Sequence, residues 1–144
     1  MTAQNILRAI EKAIKPIVTT VYFHPQGRGR VGNKTPFVLI RKGNETPAEV
    51  QVKMKICKEI EYEILLCVDS PTQAETIRLQ NLIEAAIKQI DCSSVANLAC
   101  IRWAGVEVPT ADSGGDFFSF DTPNIRATWQ LILIRYIFVV HQPN

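Results

Sequence analysis

Two hydrophobic periodicities divide this chain, and the changes from one to the other mark out its elements. At the start, Ile6, Leu7, Ile10, Ala13, Ile14 and Ile17 recur at helical spacing, with Arg8, Glu11, Lys12 and Lys15 on the other side. This predicts an amphipathic helix. Pro16 lacks an amide hydrogen and disfavours helix at Lys15, so the helix should stop or kink there. A short strand, about Val18 to Phe23, should follow. From Glu49 to Asp69 the period is two. Even positions carry Val50, Val52, Met54, Ile56, Ile60, Tyr62, Ile64, Leu66 and Val68, with Lys58 as the one defect. A single strand of that length would reach roughly 60 Å and overhang a domain of this size. The alternative is a bend near Cys57 and Lys58 that keeps parity. Leu65 to Val68 is apolar on both faces and should sit at the sheet centre.

The closing strand, Trp129 to Val140, is also apolar on both faces. After Gln130, only Arg135 interrupts it. One face can be covered by the chain's own helices, and the second needs another layer or another subunit. That surplus points to an assembly part, although an ordinary central strand would carry the same pattern. Between the long strands, Ser70-Pro71 should start a second helix. Ser70 would cap it, Pro71 would take the first helical position and Gln73 would complete a capping box. Its stripe of Leu79, Leu82, Ile83, Ala86, Ile87 and Ile90 should be buried, with Arg78, Glu84 and Lys88 outward. Phe37 to Arg41 reads as a strand, Lys42 to Pro47 as a turn around Gly43-Asn44, and Leu98 to Trp103 as a further strand. The order of elements predicts an α+β fold, with a mostly antiparallel β-sheet and two main helices packed on one face.

The two intervening segments break both patterns. Pro25 to Pro36 is a basic loop in which Gly27, Gly29 and Gly32 alternate with Arg28, Arg30 and Lys34. Its glycines match the spacing of a dinucleotide loop. The match fails because a β-like run follows instead of the helix whose amides would hold a pyrophosphate. Pro109 to Pro123 reads as a long loop with Gly114-Gly115 and an aromatic cluster of Phe117, Phe118 and Phe120. Both loops are candidate docking segments. The basic one should be mobile alone and ordered by a partner. The phenylalanines should anchor a neighbour or fold back over their own sheet.

Composition adds mostly exclusions. The 144 residues are 47% hydrophobic and 21% charged, which suits one domain, residues 1–144, with a sizeable core. The net charge of +2 leaves no chain-wide nucleic-acid footprint. The charged N-terminal helix does not read as a secretory signal, and the closing strand is too short and interrupted for a membrane span. Cys57, Cys67, Cys92 and Cys100 stand apart, without a zinc pattern, and read as free thiols in a reducing cytoplasm. A Cys57–Cys67 disulfide is allowed by sequence but favoured by nothing. His24 and His141 lie at opposite ends of the chain. Asp112 and Asp116 flank a turn without regular calcium spacing. Glu59, Glu61 and Glu63 share one strand face, which reads as a solvated or interface row and not as an acid/base pair. No catalytic set, cofactor or metal site is expected, and an enzyme is disfavoured.

The order of elements resembles the tail-terminator proteins of long-tailed bacteriophages, of the lambda-like type. The resemblance is carried by the helix Ala3 to Lys15 leading into a strand, and by the glycine- and charge-bearing loop before Thr35-Pro36-Phe37-Val38-Leu39-Ile40. The long strand Ile60 to Val68 passes directly into Ser70-Pro71-Thr72-Gln73-Ala74-Glu75, and the closing strand begins Trp129-Gln130-Leu131-Ile132-Leu133-Ile134-Arg135-Tyr136. The resemblance implies a structural virion protein, made in the host cytoplasm and placed at the tail-neck junction. It would form a ring, as a homohexamer, that ends tube polymerisation. Its partners would be the tail tube protein and the head-tail connector, with DNA passing through the lumen. On that reading Glu59, Glu61 and Glu63 could line the lumen as an acidic wall along which DNA slides. The alternatives are a head-tail connector or neck protein, and a small α+β domain using Arg28, Arg30 and Lys34 to hold nucleic acid or phosphate.

Overall fold

A computed structural model describes residues 2–23, 29–31, 35–47, 57–70, 72–109, 118–120 and 129–141. Helix α1 spans Thr2–Ile14 and turns its Ile6, Ile10 and Ile14 fully inward. It ends just before Lys15-Pro16, where the proline requires it to. Strand β1 is Thr20–Phe23, β2 is Gly29–Val31 and β3 is Phe37–Pro47. Strand β4 is Cys57–Asp69, α2 is Ala74–Lys88 and a 3-10 turn covers Cys92–Ser94. Strands β5, β6 and β7 are Leu98–Glu107, Phe118–Phe120 and Trp129–His141.

Five strands form the main sheet in the order β1-β3-β4-β7-β5. Only β1 with β3 is parallel; β3-β4, β4-β7 and β7-β5 are antiparallel. The fold is α+β with a mostly antiparallel sheet, as the periodicities predict. Strand β4 sits at the centre. It pairs with β7 without a register shift from Cys57↔His141 to Asp69↔Trp129. Even-numbered residues of both strands face the helices. There Ile60, Tyr62, Ile64, Leu66, Ile132, Ile134, Tyr136 and Phe138 meet the inner faces of α1 and α2 in one core. Tyr62 and Phe138 pack edge to face at 5.2 Å.

The opposite face is divided. Its upper half is a second apolar cluster of Phe37, Leu39, Leu65, Cys67, Trp129, Leu131 and Leu133, with Tyr22 packed against it. None of the seven is more than 5% exposed within the single chain. The double-sided apolar strand therefore does not call for a second subunit at this half, because the chain covers it itself. The surplus read from the sequence is an ordinary two-sided core.

Several boundaries differ from the sequence reading. Lys42 to Pro47 is not a turn. Strand β3 continues through it, absorbing Gly43-Asn44 in a bulge between Lys42 and Glu45. Gly43 closely approaches Glu61 there, since a Cβ would lie 2.6 Å from Glu61 Oε1 and 3.2 Å from Glu61 Cβ, and a larger residue would oblige that side chain to shift. The described part of the long alternating run is β4 alone; residues 48–56 lie outside the described residues. Helix α2 begins later than expected, with Gln73 at its N-cap and no side-chain cap. Ser70 Oγ instead accepts from the Thr72 amide in the turn ahead of it, at 3.3 Å. What fixes this end is Thr76, whose hydroxyl donates to Gln130 Oε1 at 2.7 Å, while Gln130 Nε2 donates to the Ser70 carbonyl at 3.3 Å. The buried stripe of α2 is Thr76, Leu79, Ile83 and Ile87, and Leu82 is exposed instead. The expected strand near Leu98 extends to Glu107. Cys57 and Cys67 lie ten positions apart along one extended strand, roughly 33 Å, which excludes a disulfide between them.

Because both faces of β7 are core, Leu133→Ala and Ile134→Ala should each destabilise the isolated chain by about 2–5 kcal/mol. Urea unfolding midpoints at unchanged m-value check this; a Leu133→Ala midpoint like wild type would mean that the second face is not packed.

Candidate functional site: three surfaces

The polar half of the second face is built by register. Arg41 of β3, Glu63 of β4 and Arg135 of β7 are direct cross-strand neighbours. Arg41 donates to Glu63 Oε1 through Nε at 3.0 Å and Nη2 at 2.8 Å, and Arg135 approaches Glu63 Oε2 at 3.5 Å. Arg135 then donates to Glu107 at 3.1 Å. Arg102 of β5 pairs with Glu59. The row Glu59, Glu61 and Glu63 lies on the face away from the helices, as the parity of β4 dictates. It is not an acidic wall, however. Glu63 is only 8% exposed and is enclosed by two guanidinium groups, and Glu59 is matched by a third. Counting Glu107, the surface holds four carboxylates and three arginines, so any repulsion of DNA phosphate from the row is largely cancelled.

The second surface joins two segments that the sequence presents separately. Strand β2 comes from the basic loop and β6 from the aromatic loop, and they pair in parallel as Gly29↔Phe118, Arg30↔Ser119 and Val31↔Phe120. The aromatic segment is therefore strand at Phe118 to Phe120, not open loop, and the basic segment is strand at Gly29 to Val31. Arg30, Phe118 and Phe120 are brought into one two-stranded ribbon. Arg28, Lys34 and Phe117 lie outside the described residues. The alternation Arg28-Gly29-Arg30-Val31 was a faint strand signal that the glycines obscured.

The third surface was missed in the sequence. Two helices pack roughly 8–10 Å apart and cover about four strands spaced at ~4.8 Å. The sheet has five. The strand left over is β5, and its register puts Trp103 beside Tyr136 and Val106 beside Ile134 on the helix-bearing face. Among the described residues the large exposed hydrophobics are Ile77 and Leu82 on α2, Trp103 and Val106 on β5, and Val108 just after it. Trp103 is 60% exposed, and its indole N–H donates to Glu84 at 3.0 Å. A groove of about 850 Å3 runs between α2 and β5, walled by Glu84, Lys88, Trp103, Val106 and Tyr136. Only the count of strands against helices signals this surface in advance.

Among the described residues no group of three or more His, Cys, Asp and Glu could hold a metal ion, and no helix is long and apolar enough to cross a membrane. Burial pushes the Cys67 thiol far above its usual range, with Asp69 adding to the shift. Burial also raises the Cys92 thiol, helped by Cys100 and Asp91.

The fold can now be set beside known ones. It is similar to a chain in the solved virion of a native gene transfer agent particle. The TM-score is 0.55 and the sequence identity 12%, over 99% of this chain and 98% of that one. The likeness is one of fold, from end to end. Neither a family model nor a curated protein matches the sequence.

Two measurements test these surfaces. Glu63→Ala leaves Arg41 and Arg135 facing each other without their carboxylate and should cost roughly 3 kcal/mol, whereas Glu59→Ala should stay within about 1 kcal/mol. Equal losses in thermal unfolding would show that enclosure makes no difference. In timed maleimide labelling followed by peptide mass analysis, the half-buried Cys92 and Cys100 should react in the native protein, and Cys67 only after unfolding.

Proposed function

We propose that this chain is a structural protein of a phage-like virion, and that it acts without enzymatic chemistry as the ring closing the end of a tail tube. The observation that carries the reading is the end-to-end correspondence of its fold with a virion chain of nearly the same extent. The order of elements that resembles tail terminators supports the finer assignment. The tail tube protein below and the head-tail connector above are the proposed partners. The proposed site is the tail-neck junction, with DNA passing through the lumen unbound. Three different surfaces on one small subunit suit a ring component, which must meet its neighbours, the tube and the connector at once. The ribbon of β2 and β6, which carries Arg30 and the Phe118-Ser119-Phe120 strand, is the proposed docking element for tube or connector. A six-fold ring is the expected copy number.

The test is tube growth in vitro. Added at one ring equivalent per tube end, the protein should halt polymerisation of its cognate tube protein. Electron microscopy of the arrested ends should show a closed ring. Tubes that keep lengthening at saturating protein would refute tail capping. A twelve-fold assembly bound to heads would favour the connector reading.

A further inference from the structure

We infer that the apolar strip of α2 and β5 is the surface on which a second copy of this chain docks, head to tail, through its α1 and β1 edge. This rests on the ring reading and names the contact that would build the ring. The strip comprises Ile77, Trp103, Val106 and Val108, the last 72% exposed. Together they expose an area on the order of the ~300–600 Å2 typical of the largest apolar patch of a monomer. That is about half of the ~800 Å2 that a standard interface takes from each partner, so polar neighbours must complete the contact.

The complementary features lie at the opposite end of the sheet. Strand β1 is the other edge of the five, roughly 19 Å away. Beside it, Leu7, Arg8, Glu11 and Phe23 line a shallow cavity of about 250 Å3 among the described residues. Leu7 and Phe23 are half-buried and apolar, and Arg8 stands exposed at the rim. A protruding Trp103 ring suits such a hollow, and a guanidinium at its rim suits the face of an indole. The charges agree. Among the described residues Glu84, already holding the Trp103 N–H, has no cation within ion-pair distance, and Arg8 at the rim of the hollow has no carboxylate. Lys88 also lines the groove, and Glu11, which pairs with Lys15 at 3.5 Å, lines the hollow beside Arg8, so each edge carries both signs of charge. Two unlike patches on opposite edges generate a ring, whereas a patch meeting itself would stop at a dimer.

The experiment uses two exposed-site variants of the full chain, Trp103→Glu and Arg8→Glu. Circular dichroism and melting temperature should match wild type for both. Native mass spectrometry, alone and on tubes, should show a ring for wild type. Each variant alone should need at least a hundredfold more protein to reach it. Each variant keeps one intact edge, so their equimolar mixture should give a one-to-one heterodimer that grows no further. Acrylamide quenching should fall on assembly, since Trp129 is buried and Trp103 is the accessible indole. A wild-type ring with both variants assembling normally would overturn this contact and leave the ring reading intact. Loss of assembly in Trp103→Glu alone, with a wild-type dimer, would mean the strip meets itself and would also overturn the inference. Wild type that stays monomeric on and off tubes would overturn both.

Discussion

Everything in this fold hangs on the pairing of β4 with β7. Thirteen cross-strand pairs run from Cys57↔His141 to Asp69↔Trp129 without a slip. Because side chains alternate, that one register decides which residues meet α1 and α2 and which form the second face. A shift of β4 by one residue would turn Ile60, Tyr62 and Ile64 away from the helices and drive Glu59, Glu61 and Glu63 into the core. The two strands are apolar on both faces over Leu65 to Val68 and Leu131 to Ile134, so a slip there is not penalised by hydrophobicity. The polar residues specify the register instead. Glu63 finds Arg41 on one side and Arg135 on the other only in the observed alignment.

The sequence made the strong periodicities legible. The inner face of α1, the parity of β4 and the two-sided character of β7 follow directly from spacing, and so does the α+β class. The two defects in those patterns also have local answers. Lys58, at the end of the helix-facing row, lies 3.7 Å from Glu45, and Arg135 joins Glu63 to Glu107. What failed to show was whatever depends on partners distant in the chain. Gly43-Asn44 has turn chemistry, yet tertiary pairing with β4 carries the strand through it as a bulge. Ser70-Pro71 has capping chemistry, yet the Thr76–Gln130 hydrogen bond holds α2 from another strand. The pairing of Gly29 to Val31 with Phe118 to Phe120 spans almost ninety residues and leaves no local trace.

The candidate surfaces were legible in the same uneven way. The carboxylate row was visible as a row but not as a neutralised one, because its arginines come from three other strands. The basic and aromatic segments were visible as unusual, but not as one ribbon. The α2 and β5 strip was invisible, because Trp103, Val106 and Val108 read as ordinary strand residues until the helices are counted against the strands.

Strand β5 carries one more consequence. Its ladder with β7 is broken twice, between Leu98 and Cys100 and between Trp103 and Gly105, where Gly105 takes a φ of 120° that favours glycine. Such breaks twist an outer strand and throw its free amides and carbonyls out of line. Another strand cannot then zip onto it to prolong the sheet. Contacts made on this flank would then run through side chains such as Trp103 and Val106 and not through a shared backbone ladder.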